Sequence, residues 1–219
     1  MAFNGVAPGK WRMGSNWVGL KWFRTFCHLP RFWQIVKNRL VVSLYSLEVG
    51  FPIPIVLALM INSVKSTRFK KLTQTITYMP HFISTVILVG MMSVFLSPRS
   101  GFLNHLIAML GGPDDLYYMG SASAFAHLYV WSGIWQNMGW SSIIYLAALA
   151  GVDQELHEAA MVDGANKLKR IIHIDLAAIM PTMVILLIMN AGNIMCVGYD
   201  NVYLMQNDMN LNPAEVIST

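Results

Sequence analysis

The residues able to do chemistry in this chain are few, and they sit far apart. The six histidines, His28, His81, His105, His127, His157 and His173, show no ligand spacing, and the H-E-x-x-H pattern that would place two imidazoles on one helical face is absent. Cys27 and Cys196 make neither a disulfide framework nor a cysteine zinc site. No G-x-x-x-x-G-K-[ST] loop occurs, so nucleotide has no such cradle in this sequence and would be held by another chain. What remains is a set of single polar groups inside apolar runs. Glu48 either pairs with Lys37 or Arg39 or lies on a solute path, because an ionisable group at depth in lipid is costly without a function. Trp135, Gln136, Asn137, Trp140 and Tyr145 follow in one later run, and Asn190 and Asn193 in another. Amides and aromatic faces of this kind suit a sugar, and they equally suit hydrogen bonds between helices. His81 reads as a packed or hydrogen-bonded residue.

One continuous stretch has denser information: Gly151–Met180, GVDQELHEAAMVDGANKLKRIIHIDLAAIM. Asp153 can cap a helix beginning at Gln154, and Glu155 is favourable in its first turn. Glu158, Ala159 and Ala160 follow on that helix, and Gly164 can end it. A second helix starts near Lys167 and runs into the apolar segment beyond. The small side chains of Ala159, Ala160 and Gly164 leave room for another protein to come close.

The elements that hold these residues are those of a membrane protein. Of 219 residues, 55% are hydrophobic and only 12% charged, against about 45–50% and about 25% in soluble domains. A soluble enzyme, a disordered chain and a nucleic-acid binder are all disfavoured by that balance, and the mean hydropathy is +0.49. Four runs approach the ~20 residues needed to cross a bilayer as a helix: residues 40–61, 79–97, 125–150 and 176–198. They lack the alternation of a strand, so the fold expected is all-α, a polytopic helical bundle. Pro52, Pro54, Pro80 and Pro181 interrupt or open these runs and imply packed neighbours, and Gly133, Gly139, Ala147 and Gly151 allow close helix approach.

Charge placement sets the orientation. Loop 62–78 carries Lys65, Arg68, Lys70 and Lys71, and loop 151–175 carries Lys167, Lys169 and Arg170. The positive-inside rule puts both on the cytoplasmic side. Residues 1–39 then fall outside the cell. They hold seven basic residues and no acid, interleaved with Trp11, Trp17, Trp22 and Trp33, as in an amphipathic segment at headgroup level. Residues 199–219 form an extracytoplasmic tail in this reading.

The stretch Glu158-Ala159-Ala160, three residues, Gly164, nine residues, Ile174, one residue, Leu176 resembles the EAA loop of the permease subunits of ABC importers. Asp163 and Ala165 extend it to the common Asp-Gly-Ala form, and Ala177 stands where the family has proline. Tyr78–Ser84, Ser97-Pro98 with Gly101–Asn104, and Trp140–Gly151 resemble other parts of the carbohydrate and polysaccharide branch. The resemblance implies a type I importer permease core of the MetI-like kind, in the bacterial cytoplasmic membrane, with the first and last of the usual six spans lacking. It implies a chain that is not an enzyme, whose partners are a second permease subunit, two cytoplasmic ATPases that bind ATP and Mg, an extracytoplasmic solute-binding protein and membrane lipid, with no nucleic acid. Asp153, Glu155, Glu158, Ala159, Ala160, Asp163, Gly164 and Ala165 would couple to an ATPase. Glu48, Trp135, Gln136, Asn137, Tyr145, Asn190 and Asn193 are the candidates for the solute pathway. The rivals are a membrane-embedded enzyme using Glu48 with His81 or His127 on facing helices, and a structural membrane scaffold.

Overall fold

The computed structural model describes residues 4–5, 16–17, 32–98, 100–111, 117–194 and 199–206. Apart from a two-residue antiparallel pairing of Asn4–Gly5 with Asn16–Trp17, these residues are helical or form short connections. The first long unit is α1 (Phe32–Gly50) followed by α2 (Pro52–Asn62). Pro52 and Pro54 sit in the first turn of α2, where the missing N–H would be unbonded anyway. Together they make a 31-residue helical unit long and apolar enough to cross a membrane. It begins earlier than residue 40: Phe32–Arg39, expected in the interfacial segment, is helix continuous with the span. Arg39 is buried by protein there, so its charge did not mark the helix boundary. Of residues 1–31, only the paired strands are described, and they are not helical.

The second expected span is not one straight helix. α3 (Thr67–Tyr78), capped by Ser66, runs into a 3-10 turn at Met79–Phe82. The chain then bends by 96° into α4 (Thr85–Phe95). Eleven residues rise only about 16 Å, so α4 alone is too short to cross. Ile83 takes extended backbone and ends the turn that Pro80 opens; Ser84, also extended, accepts a hydrogen bond from the Ile87 N–H and restarts the helix. α5 (Phe102–Met109) lies in the following loop.

α6 (Ala122–Ala150) is the organising element, 29 residues long. Its buried side chains serve two apolar clusters. Phe125 near the start packs with Val89 and Leu96, and Tyr145 and Leu149 near the end pack with Ile55, Ala58 and Ile179. Among the described residues two helices are long and apolar enough to cross, or three if the bent pair counts as one span, and α6 is not among them. His127, Gln136, Asn137 and four serines dilute its hydropathy, although its 29 residues are long enough to cross.

Beyond α6, α7 (Gln154–Val162) lies at the surface with no buried residue. α8 (Lys167–Arg170), a π-helical turn (Ile171–Asp175) and α9 (Leu176–Gly192) form one 26-residue helix that passes the same length and apolarity criterion. Residues 195–198 of the fourth expected run lie outside the described residues. The expected tail contains α10 (Tyr199–Met205), whose Val202 and Met205 are buried in the Phe125 cluster. A helix docked there is part of the core, because those two side chains complete an apolar pocket between α4 and α6.

Candidate functional site

Two regions gather the candidate residues. The first is the helix–turn–helix at 153–176. Asp153 takes extended backbone and its carboxylate accepts the Glu155 N–H at 3.0 Å. The other end closes through Gly164, which adopts φ +77°. Its N–H donates to the Met161 carbonyl at 3.1 Å, while the Ala165 N–H reaches the Ala160 carbonyl at 2.9 Å. That pair of bonds is a Schellman closure, and a left-handed residue at its corner is what glycine supplies. Asn166 then caps α8 by accepting the Lys169 N–H at 2.9 Å. The chain thus leaves one helix and starts the next within four residues, the turn closed by these backbone and cap hydrogen bonds. Lys167 Nζ donates to the Ser63 carbonyl at 3.1 Å, pinning α8 to the end of α2.

No residue of α7 is buried. Glu155, Glu158, Ala159, Val162, Asp163 and Gly164 are exposed, and Val162 is 88% exposed. Leu156 and Met161 are also exposed, so apolar side chains on several sides of α7 lie open beside Glu155, Glu158 and Asp163. Helical spacing puts Glu155, Ala159 and Val162 on the outward face and His157 and Ala160 toward the bundle. Ala160 and Ala165 are half-buried accordingly.

The second region is a cavity of about 810 Å³ between α1, α2, α6 and α9. Asn137, Tyr145, Asn190 and Asn193 border it, and so do Trp140, Tyr129, Ser43, Ser46 and Ser141. Among the described residues no charged side chain lines it. Its members differ in availability. Asn137 is used twice: His81 Nδ1 lies 3.0 Å from its Oδ1, and its Nδ2 donates to the Gly133 carbonyl at 2.9 Å. The His81 ring also stacks on Trp140, centroids 4.6 Å apart and planes 6° from parallel. The 3-10 turn after α3 is thereby tied to α6 by ring stacking and a hydrogen bond to a side-chain amide. Tyr145 is buried in the core cluster and only edges the cavity. Asn190 and Asn193 are exposed, with no side-chain hydrogen bond among the described residues.

The remaining pathway candidates are placed elsewhere. Gln136 is 8% exposed, and its Nε2 donates to the Ile83 carbonyl at 2.7 Å, so it holds the bend before α4. Trp135 faces a separate apolar groove with Leu88 and Phe95. Glu48 is exposed on α1, off the cavity, with no ion pair to Lys37 or Arg39 among the described residues. His127 bonds Tyr45 Oη at 2.9 Å. Glu48, His81 and His127 therefore do not converge on one water-accessible cavity, as the enzyme reading requires. Sequence reasoning missed Ser43, Ser46 and Tyr129. The signal was available in part: Ser43, Ser46 and Gly50 recur at i, i+3 and i+7 in an apolar helix, one small face.

Comparison with known proteins agrees with this architecture. Residues 50–196 match a family model described as a binding-protein-dependent transport system inner membrane component. The polygalacturonan/rhamnogalacturonan transport system permease protein YteP of Bacillus subtilis (strain 168) is 42% identical over 219 residues, covering 100% of this chain and 68% of that one. A chain in the crystal structure of a bacterial ABC transporter involved in the import of the acidic polysaccharide alginate superposes with a TM-score of 0.89 at 40% identity, over 93% of this chain and 71% of its own. The alginate transporter in complex with an alginate pentasaccharide-bound periplasmic protein gives a TM-score of 0.87 at 40% identity, over 91% and 69%.

Proposed function

The chain belongs to the inner membrane components of binding-protein-dependent transport systems, and from that premise we propose that it is the transmembrane subunit of an ATP-driven importer of oligosaccharides or polysaccharide fragments. Its work is mechanical. A second permease subunit completes the pathway, two cytoplasmic ATPase subunits bind beneath, and an extracytoplasmic solute-binding protein delivers the sugar to a multi-pass assembly in the bacterial cytoplasmic membrane. The alginate transporter caught with its pentasaccharide-loaded periplasmic protein supports that last partner.

One observation carries the coupling: α7 is a capped helix with no buried residue, joined through the Gly164 corner to the long helix α8–α9. A helix exposing Leu156, Val162, Glu155 and Glu158 is shaped to sit in a groove of another protein rather than in its own bundle. The partner's closure on ATP would then displace α7 as a rigid body, and α8–α9 carries that displacement into the membrane. ATP and Mg belong to the partner. The uncharged cavity supports a polyhydroxylated solute, with amide groups for hydroxyls and the Trp140 face for C–H surfaces.

The test is copurification followed by uptake. The chain, expressed with its ATPase and second permease, is solubilised and the ATPase stoichiometry measured; the assembly is then reconstituted and uptake of labelled oligosaccharide followed with ATP and binding protein. Ala159→Trp, on the outward face of α7, should remove the ATPase and coupled uptake while the chain stays in the membrane. Full copurification and normal uptake in that variant would overturn the reading.

A further inference from the structure

The coupling helix has a second attachment to the membrane helix besides the covalent turn. His157 is on the inward face of α7, and its Nε2 lies 3.3 Å from Oδ1 of Asp175. Asp175 closes the π-helical turn that joins α8 to α9, and it is only 5% exposed. Its Oδ1 is buried with no aligned hydrogen-bond donor among the described residues, which leaves His157 as the group within ion-pair distance. A buried carboxylate is costly unless a donor or cation faces it. Here the facing group comes from a helix that otherwise buries nothing. Among the described residues this is the one side-chain polar contact from α7 to the rest of the bundle. A π-turn is an extra residue inserted into a helix, a local weak point in the i→i−4 ladder, and such turns recur at functional positions.

Taken with the coupling role proposed above, on which this rests, we propose that His157 and Asp175 form a strut that makes α7 and α9 move as one body. The turn at Asp163–Asn166 alone is a hinge: its glycine corner fixes a path but lets the angle between the two helices vary. A contact from the middle of α7 to the base of α9 closes a triangle with that hinge and removes the freedom. Both residues act through the helices they brace, so they are positioning residues, and neither needs to touch solute, ATP or the ATPase.

The experiment uses the complete importer reconstituted in proteoliposomes, with solute taken up per ATP hydrolysed as the readout and ATPase copurification alongside. His157→Ala and Asp175→Asn should each lower that ratio by about tenfold, the lower end of the cost of leaving a buried charged group without its partner, while the ATPase still copurifies. The double variant should be no worse than either single one, because both remove the same link. His157→Gln, whose Nε2 reaches nearly the position of the imidazole Nε2 and carries N–H groups to face the carboxylate, should recover most of the ratio. Additive losses, an unchanged ratio, or a glutamine variant as poor as alanine would overturn the strut. So would equal loss of uptake, hydrolysis and copurification, since the pair would then only shape the docking surface. The wild-type assembly separates this from failure of the coupling reading: if hydrolysis there does not depend on solute delivery, the coupling itself fails first.

Discussion

Gly164 offers a prediction that separates two explanations of the same glycine. It occupies φ +77°, and a Cβ built on it meets nothing within 4 Å. The chain itself therefore has room for a side chain, and the whole intramolecular cost of Gly164→Ala is the left-handed backbone, about 1–2 kcal/mol. At about 1.4 kcal/mol per tenfold, the closed turn should lose about fivefold to thirtyfold in population relative to open forms. The amides that report it are those of Gly164 and Ala165, bonded to the Met161 and Ala160 carbonyls. Hydrogen exchange in the purified assembly should show their protection falling by that factor, with protection in α9 unchanged. The order of variants carries the decision. Asparagine tolerates the left-handed region better than alanine, so if backbone conformation is what Gly164 supplies, Gly164→Asn should retain more protection and more coupled uptake than Gly164→Ala. Proline, fixed near φ −65°, should abolish both. If the glycine instead serves as empty space for the ATPase, the larger asparagine must be worse than alanine in uptake. Asparagine below alanine in both measurements would refute the conformational argument.

Three further outcomes follow from the packing. A Cβ at Gly139 would overlap the Thr77 carbonyl, which is backbone and cannot swing aside, so Gly139→Ala should destabilise the α3–α6 contact by about 1–3 kcal/mol, read as a lower melting temperature in detergent. Gln136→Leu strips the half-buried Ile83 carbonyl of its donor, for a loss of about 1 kcal/mol; the same melt should show it, with solute KM unchanged. Asn190→Ala and Asn193→Ala touch cavity residues with no side-chain hydrogen bond among the described residues; each should weaken uptake by about threefold to tenfold, the worth of one neutral hydrogen bond, at constant melting temperature. A fall in melting temperature without loss of uptake would instead make them bundle residues.

How much of this was legible in the sequence depended on range. The caps of α7 were readable because Asp153 and Gly164 act on backbone within a few residues of themselves. The run of α8 into α9 was equally local, an Asn166 cap followed by 26 residues with one proline, Pro181, and no glycine before Gly192. The bend of 96° was not: Pro80 signals a break, but the angle is set by Ser84 as a new cap and by Gln136 reaching Ile83 from 53 residues away. Likewise Arg39 looks like the end of a lipid-exposed span until protein is seen to cover it. Among the pathway candidates, polarity inside an apolar run was a fair signal of importance and a poor signal of role. Gln136 and Asn137 are neighbours in sequence, yet a helix turns them about 100° apart, one onto a backbone carbonyl and the other to the cavity edge. Ser43 and Ser46 were overlooked because small polar residues barely dent hydropathy.

The central claim is that α7 lies on the cytoplasmic side in the grip of an ATPase, and cross-linking from Glu158 tests it most directly. With Cys27 and Cys196 replaced, Glu158→Cys in the assembled importer should be labelled by an impermeant maleimide only in inside-out vesicles. It should also form a disulfide with a cysteine in the ATPase groove, at a yield that changes when ATP is added. Labelling from the extracellular face only, or no cross-link to the ATPase in an importer that still transports, would contradict the account.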